Sequence, residues 1–279
     1  MEEKISNVLR QTGFAFKKQF GQNFITDKNL LLDIVERSGV TKNLTVIEIG
    51  CGAGTLTRAI SEKAKRVIAF EIDTKLQPVL EQTLAGVENA EVIFKDFLKV
   101  RIDEFEKNLG EDYAVVANLP YYITTPLIMQ FIEHSKRCKS LSVMVQEEVA
   151  KRLCAEANTP DYGAITAVIA LRGKGKIIKK VPRNMFYPVP NVDSAVVKID
   201  LTQGGVEVED TELYKKVVHA AFSSRRKTLE NNLVNGFKLS RAQAQQALLD
   251  SNIDLKARGE TLSPEQFANL SKNLQPLIK

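Results

Sequence analysis

The chain has 279 residues, of which 44 % are hydrophobic and 26 % are charged, and it carries a formal net charge of +5. These are ordinary globular values, and the length predicts one large and one small domain. The three cysteines and two histidines are scattered, which excludes a familiar zinc site and indicates a reducing compartment without a structural metal. The basic charge permits a polyanionic partner without requiring one.

The first ten residues mix acidic and basic side chains and resemble neither a secretory signal nor a transit peptide. No stretch approaches the roughly 18 continuous apolar residues of a membrane span. The sequence therefore predicts a cytoplasmic protein with no membrane partner. Residues 14–24 interleave four phenylalanines with lysines, which is typical either of core packing or of a cover over a ligand. A helix capped by Thr26 or Asp27 is expected next.

A strand, a glycine-rich turn and a helix are predicted over residues 45–64. The apolar strand Thr45–Ile49 leads into the turn 50–54, which reads Gly-Cys-Gly-Ala-Gly, and a helical pattern starts at Thr55. This order is the nucleotide-binding opening of a doubly wound sheet, where glycines let the backbone approach a ligand closely. In the dinucleotide-binding signature Gly-x-Gly-x-x-Gly, the third glycine would be residue 55. That residue is Thr55 here, and the third glycine of this turn is Gly54, one place earlier.

Three further predicted strands end in polar side chains. Glu71 and Asp96 follow two of them, and Asn118 follows the apolar run 113–117. Because the carboxyl ends of parallel strands form the ligand-binding edge of such a sheet, we expect these side chains to meet the glycine turn. Glu71 lies 21 positions after Gly50, close to the offset of about 20 at which an acid reaches ribose hydroxyls.

The tetrapeptide Asn118-Leu119-Pro120-Tyr121 has the composition of an ordinary turn. It also offers an amide with both a donor and an acceptor, and an aromatic ring with a polar tip. Farther along, the proline-rich loop 182–190 restricts its own backbone and presents Phe186 at low entropic cost.

Beyond Gly204 and Gly205 the pattern is helical only, which predicts a first domain over residues 1–202 and a second over 203–279. Ser240 and Ser263 are expected to begin helices. Another helix is expected to open at residues 223–227. It carries a basic cluster that is either a solvated helix start or a set of phosphate contacts, and this cluster consists of Arg225, Arg226 and Lys227.

An ordered set of motifs resembles the bacterial small-subunit ribosomal RNA adenine-N6,N6-dimethyltransferases. The set comprises Gly21-Gln22-Asn23-Phe24, Glu48 to Gly54, Glu71, Asp96, Asn118 to Tyr121, and Phe186 to Ser194. The resemblance covers nearly the whole chain. It implies an α/β protein with a Rossmann-like S-adenosylmethionine-dependent methyltransferase domain and a small all-helical C-terminal domain that binds RNA.

The resemblance also implies an activity and partners. The protein would dimethylate the N6 amino group of adenines, two adjacent ones by expectation, during ribosome biogenesis. Its partner would be small-subunit ribosomal RNA or an assembly intermediate of the small subunit, and it would act as a monomer. Arg225, Arg226 and Lys227 would contact the RNA.

The resemblance assigns a set of cofactor-binding residues: Gln22, Asn23, Ile25, Gly50, Gly52, Glu71, Asp96 and Asn118. Gly50 would admit the amino-acid portion of S-adenosylmethionine, Glu71 would accept hydrogen bonds from the ribose, and Asp96 would accept one from the adenine amino group. Ile25 stands where the family commonly has Leu, a change that a backbone contact tolerates.

The assigned catalytic residues are Asn118, Leu119, Pro120, Tyr121 and Phe186. The Asn118 side-chain oxygen and a backbone carbonyl of residues 119–120 would accept both N6–H bonds of the target. This would point the nitrogen lone pair at the methyl group. Tyr121 and Phe186 would stack on the extruded base, and no dedicated general base is needed.

Three alternatives remain open at this stage. The first is a large-subunit methyltransferase of the antibiotic-resistance type, against which Leu119, the loop 186–194 and the long helical domain argue. The second is a nonenzymatic ribosome-assembly or transcription factor on the same fold, which the intact glycine turn and tetrapeptide disfavour. The third is a nicotinamide dehydrogenase, which the misplaced third glycine and the lack of a suitable histidine disfavour.

Overall fold

The computed structural model describes residues 7–9, 12 and 23–278, with Tyr121 described for its backbone only. It divides into two compact units, the first comprising Met1–Ala150 with Lys176–Asp200 and the second comprising Lys151–Gly175 with Leu201–Lys279. Residues 151–175, predicted to belong to the first domain, have their contacts in the second unit, and so do Leu201 and Thr202. Because the chain passes from the first unit to the second, returns, and passes to the second again, no single change in composition marks the boundary between the units.

A seven-stranded mixed sheet, in the order β4-β3-β2-β5-β6-β9-β7, forms the first unit's framework. Its strands are β2 Thr45–Ile49, β3 Arg66–Glu71, β4 Ala90–Phe94, β5 Tyr113–Asn118, β6 Cys138–Gln146, β7 Lys174–Val181 and β9 Ser194–Asp200. The five strands from β4 to β6 are mutually parallel, and β9 runs antiparallel to β6. Two short strands, β1 Phe24–Ile25 and β8 Phe186–Tyr187, pair antiparallel with each other. The predicted α/β fold is confirmed.

The helices of this part of the chain are α1 Lys28–Arg37, α2 Thr55–Ser61, α3 Gln77–Thr83, α4 Ile102–Leu109, α5 Thr124–His134 and α6 Glu147–Leu153. The first begins after Asp27, whose side chain accepts a hydrogen bond from the Leu30 amide at 2.8 Å, as a capping residue does. Its buried face contains Leu31, Ile34 and Val35. These residues pack into an apolar cluster with Val46 of β2, so the helix fixes the chain that leads into the sheet.

Every residue of β2 is buried, and so are the first five residues of β5. Continuous burial is expected of central parallel strands that are covered on both faces. The consequence is a rigid sheet whose strand ends hold the following loops in fixed positions.

The second unit is helical, as predicted, with α7 Ala164–Ile169, α8 Thr211–Phe222, α9 Leu229–Phe237, α10 Arg241–Asp250 and α11 Pro264–Leu274. Ser240 and Ser263 form capping boxes at the starts of α10 and α11. The helix expected to open at residues 223–227 begins instead at Leu229, because the Thr228 side chain supplies its cap. Across the described residues, none of the helices has the length and apolar character needed to cross a membrane.

Candidate active site

A cavity of about 1090 Å³, including its opening to solvent, lies at the carboxyl ends of β2, β3 and β5. It is lined by residues from the β1 segment, the glycine turn, the ends of three strands and the β8 strand. These residues include Asn23, Phe24, Ile25, Glu48, Gly50, Cys51, Gly52, Thr55, Glu71, Ile72, Asp96, Leu98, Asn118, Leu119, Pro120, Tyr122 and Phe186. The structure thus brings together the strand-end residues that the sequence analysis expected to meet.

The glycine turn uses backbone conformations that favour glycine. Gly50 has φ +73° and its amide donates to the Phe70 carbonyl at 2.8 Å, which ties the turn to β3. Gly52 has φ +56°, and a Cβ there would lie 2.6 Å from the Phe24 ring. Both positions therefore require glycine, one to make the turn and the other to let the β1 segment pack closely against it.

Glu71, at the end of β3, is buried and held by three backbone amides. Its Oε2 accepts from Gly52 at 2.8 Å, and its Oε1 accepts from Ile72 and Asp73 at 2.9 Å each. Burial raises the pKa of the Glu71 carboxyl, although the three amides act in the opposite direction. With one amide on Oε2 and two on Oε1, Oε2 retains the larger capacity to accept a ligand hydroxyl.

Glu48 is a second buried carboxyl in the cavity wall, and the sequence analysis gave it no role. It lies on β2 and is 1 % exposed, and its Oε2 has no hydrogen-bond partner among the described residues. Burial raises the pKa of Glu48 to about 8, and the neighbouring Glu71 carboxylate acts in the same direction. A charged residue in an otherwise apolar strand next to a glycine turn was the signal available in the sequence.

Asp96 lies at the far side of the strand-end row, after β4. Its Oδ1 accepts from the Leu98 amide at 3.1 Å, and its Oδ2 lies 3.7 Å from the Lys99 ammonium nitrogen. Two apolar side chains that sequence reasoning missed line the cavity, Ile72 with 47 % exposure and Leu98 with 39 %. Each follows a polar strand-end residue closely, which would have been the signal for them.

Asn118, the last residue of β5, has its side-chain amide fixed. Its Nδ2 donates to the backbone carbonyl of Asn23 at 3.0 Å. Because a carbonyl oxygen can only accept, this contact assigns the nitrogen to the Asn23 side and leaves Oδ1 as the acceptor that the amide offers to a ligand.

The rest of the tetrapeptide forms a tight turn. The Pro120 carbonyl accepts from the Ile123 amide at 3.1 Å, whereas the Leu119 carbonyl accepts no hydrogen bond within the described part of this turn. The Leu119 side chain is buried. The side chain of Tyr121 lies outside the described part of the structure, whereas Tyr122 lines the cavity and is 61 % exposed.

The β1 segment reaches the cavity through three contacts. Asn23 holds Asn118, the Thr55 hydroxyl donates to the Ile25 carbonyl at 2.9 Å, and β1 pairs with β8 so that Ile25 faces Phe186 in register. Gln22, also expected in this site, lies outside the described residues.

Phe186 lines the cavity but is only 4 % exposed, because it packs into the apolar cluster that includes Ile25, Met144 and Val196. The proline-rich sequence of residues 182–190 predicted that a loop would present this ring. The ring is instead part of the core, so only its cavity side is available to a ligand.

The basic cluster belongs to the second unit, in the turn between α8 and α9. All three side chains are exposed, but they are not equivalent. Arg225 donates from Nη2 to the Tyr162 carbonyl and, at 3.4 Å, to that of Pro160. Arg225 therefore contributes to the structure of the second unit, while Arg226 and Lys227 are the members that extend from the turn.

The fold and the site define a class, the Rossmann-like RNA methyltransferases. The 23S rRNA methyltransferase ErmE has the same fold with a TM-score of 0.70 and 28 % identity, over 90 % of this chain and 99 % of that one. A dimethyladenosine transferase from Plasmodium falciparum shares the fold with a TM-score of 0.76 and 23 % identity, over 91 % and 98 % of the two chains.

Within that class, the chain belongs to the ribosomal RNA adenine dimethylase family, whose sequence model matches residues 13–276. A protein of Bacillus licheniformis named ribosomal RNA small subunit methyltransferase A is 44 % identical over 283 residues, 99 % of this chain and 97 % of that protein. One of the same name from Streptococcus thermophilus is 46 % identical over 276 residues, 96 % and 95 % of the two chains. The family expected from the motifs is confirmed.

Proposed function

We propose that this protein transfers methyl groups from S-adenosylmethionine to the N6 amino group of adenines in small-subunit ribosomal RNA, and that it forms N6,N6-dimethyladenosine during ribosome biogenesis. The observation that carries this proposal is the fixed amide of Asn118, whose Oδ1 is left as an acceptor in the cavity wall. The family match and the names of the relatives support the choice of an adenine in small-subunit RNA.

Several features of the cavity support S-adenosylmethionine as the cofactor, which would supply the methyl group as part of a sulfonium. Gly50 leaves room beside the backbone for the amino-acid portion, and the free capacity of Glu71 Oε2 suits a ribose hydroxyl. Asp96 would accept from the adenine amino group, while the exposed side chains of Ile72 and Leu98 would pack against the adenine ring.

The β1 segment would close the cofactor site. Asn23 and Ile25 line the cavity and are hydrogen-bonded to Asn118 and Thr55. The same segment would therefore position both the cofactor and the catalytic amide. We assign Gln22 and Gly52 to the same site. A Cβ at Gly52 would displace the Phe24 ring and with it this segment.

An exocyclic adenine amine is a poor nucleophile because its lone pair is delocalised into the ring. Asn118 Oδ1 and the Leu119 carbonyl would each accept one N6–H bond, which favours a pyramidal nitrogen with a localised lone pair. Positive charge develops on this nitrogen as it is methylated, and the same two oxygens stabilise that charge. The nitrogen then releases one proton to water for each methyl group gained.

Aromatic contacts would hold the extruded base. Stacking on a ring contributes about 1–3 kcal/mol per base when measured by alanine substitution. The cavity side of Phe186 provides one contact, and Tyr121 or the exposed Tyr122 provides the other. Pro120 stiffens the turn that carries them. The second methylation requires the monomethyl product to fit between the same groups.

The helical second unit would bind the RNA, with Arg226 and Lys227 placed against phosphates and Arg225 shaping the turn. The substrate would be small-subunit RNA or an assembly intermediate of the small subunit, the protein would act as a monomer, and its compartment would be the cytoplasm, where this RNA is assembled.

Methyl transfer from labelled S-adenosylmethionine to isolated ribosomal subunits that lack the modification tests this function. Label is expected in small subunits and not in large subunits. Label confined to large subunits would favour the antibiotic-resistance type of enzyme, and binding of the cofactor without transfer to either subunit would favour a nonenzymatic assembly factor.

A further inference from the structure

Among the described carboxyls that line the cavity, Glu48 is the one to which the proposed function assigns no ligand. It lies two residues before Gly50, within the wall that would surround the amino-acid portion of the cofactor. Its Oε2 is buried and makes no hydrogen bond to any described residue. A buried acceptor without a partner is costly, so this atom marks a place where a ligand donor is missing.

Among the described residues, the groups that act on the charge of Glu48 include no cation, although Lys95 also lines the cavity, next to Asp96 in the chain. Glu71 on β3 is a second carboxyl, and the charge of Asp73 acts on Glu71 in turn. The Cys51 thiol in the glycine turn is also buried. On α2, the hydroxyl of Thr57 is close enough to favour the charged form, yet it makes no hydrogen bond. Burial and the Glu71 charge raise the pKa of Glu48 to about 8, so the free protein holds this group as a neutral acid at neutral pH.

We propose that Glu48 is the partner of the ammonium group in the amino-acid portion of S-adenosylmethionine, and that the side chain releases its proton when the cofactor binds. This inference rests on the proposed use of S-adenosylmethionine. The Glu48 O–H bond breaks, the proton passes to solvent, and the carboxylate pairs with the ligand ammonium. That ammonium supplies the donor which Oε2 lacks, and its charge compensates the burial of the carboxylate.

The sign of the pH dependence follows from this proton balance. Below its raised pKa, Glu48 must lose a proton before it can pair, so lower pH opposes binding. Between about pH 6 and about pH 7 the ligand ammonium stays fully charged, since an α-amino group titrates near 8. In this range the dissociation constant should rise about tenfold for each unit by which the pH falls.

Glu71 and Asp96 are the other described carboxyls of this cavity, and two ligands separate them from Glu48. S-adenosylhomocysteine carries both the ammonium and the ribose. 5′-Methylthioadenosine carries the ribose and adenine without the amino-acid portion, so it reaches the Glu71 side alone. Proton release that belongs to Glu48 is expected with the first ligand and not with the second.

Titration calorimetry of the full-length protein, in buffers of different ionisation enthalpy, measures both affinity and proton release. For S-adenosylhomocysteine at about pH 6 to 7 we expect close to one proton released and the tenfold dependence. For 5′-methylthioadenosine we expect much smaller proton release and a much weaker pH dependence of the dissociation constant. In the Glu48→Gln variant, S-adenosylhomocysteine should bind more weakly at pH 7 without proton release, and unchanged binding of 5′-methylthioadenosine serves as the folding control.

Several results would overturn the inference. Equal proton release with both ligands would assign the proton to Glu71, and release retained in Glu48→Gln would do the same. Release with S-adenosylmethionine but not with S-adenosylhomocysteine would assign the pairing to the sulfonium. If neither cofactor form binds at any pH, the proposed function itself fails. Should the variant not fold, the comparison of the two ligands on the wild-type protein still decides.

Discussion

Replacing Asn118 with alanine is expected to separate catalysis from cofactor binding. The substitution removes Oδ1, one of the two oxygens that would stabilise the charge developing on the target nitrogen. Loss of one such preorganised group costs about 100- to 1000-fold in kcat. We therefore expect a fall of at least about 100-fold in the rate of methyl transfer at saturating cofactor.

The same substitution also removes the 3.0 Å hydrogen bond from Nδ2 to the Asn23 carbonyl. A hydrogen bond of this kind contributes a net of about 0.5–1.5 kcal/mol. If all of it were lost from cofactor binding, the dissociation constant would rise about twofold to about thirteenfold. The cofactor affinity of Asn118→Ala should therefore change far less than the rate.

Thr55→Val is the matched control, because it removes a second anchor of the β1 segment, the 2.9 Å bond to the Ile25 carbonyl, without touching the target amine. It should weaken S-adenosylhomocysteine binding by a similar factor and leave the saturated rate within a few fold. Single-turnover methyl transfer and calorimetric binding measure the two quantities. Wild-type turnover in Asn118→Ala, or equal rate losses in both variants, would refute the assigned role of Oδ1.

Three further predictions concern the framework, the cofactor site and the RNA contact. Glu106→Ala leaves the buried Tyr113 hydroxyl and the partly buried backbone amides of Lys136 and Arg137 without this acceptor and should lower the free energy of unfolding by about 2–4 kcal/mol in denaturant titrations. Burial opposes the charge of the Glu106 carboxylate, but its hydrogen bonds outweigh burial and lower its pKa in the folded protein. The loss of unfolding free energy in Glu106→Ala should therefore be complete above the pKa of an unfolded glutamate, about 4.3, and should shrink as the pH falls through the lowered pKa. Gly52→Ala should weaken cofactor binding more than Gly86→Ala, since both have positive φ but a Cβ at Gly86 meets nothing within 4 Å; equal effects would mean that strain alone matters. Charge reversal of Arg226 and Lys227 should weaken RNA binding and flatten its salt dependence, and unchanged binding at several salt concentrations would mean that these side chains are merely solvated.

The sequence predicted the features that depend on local order along the chain. The strand before Gly50, the turn itself and the strand ending at Glu71 each have a short-range pattern, and parallel strands necessarily align their carboxyl ends. Capping at Asp27, Ser240 and Ser263 is likewise local, because the cap bonds to an amide three residues later.

Features that depend on tertiary contacts were not predictable in the same way. The bond that orients Asn118 reaches Asn23, 95 positions earlier in the chain. Arg225 had the composition of a phosphate contact, yet it bonds the Tyr162 carbonyl, 63 positions earlier. The raised pKa of Glu48 arises from burial and from the Glu71 charge, neither of which a strand pattern specifies.

The loop 182–190 shows how composition alone can mislead. Its prolines and aromatic residues suggested a presented ring, but the pairing of β1 with β8 places Phe186 against Ile25 in the core. The family resemblance implied roles for these residues, and the hydrogen bond from Asn118 Nδ2 to the Asn23 carbonyl leaves Oδ1 as the acceptor of that amide.

The central claim is that the Asn118 turn directs methyl groups to the N6 atom of adenine in small-subunit RNA. Mass spectrometry of nucleosides from small subunits that lack the modification, incubated with the protein and S-adenosylmethionine, tests it most directly. We predict that N6,N6-dimethyladenosine forms with the wild-type protein and is nearly absent with Asn118→Ala. Methylation at another atom, or equal dimethyladenosine from both proteins, would contradict the account.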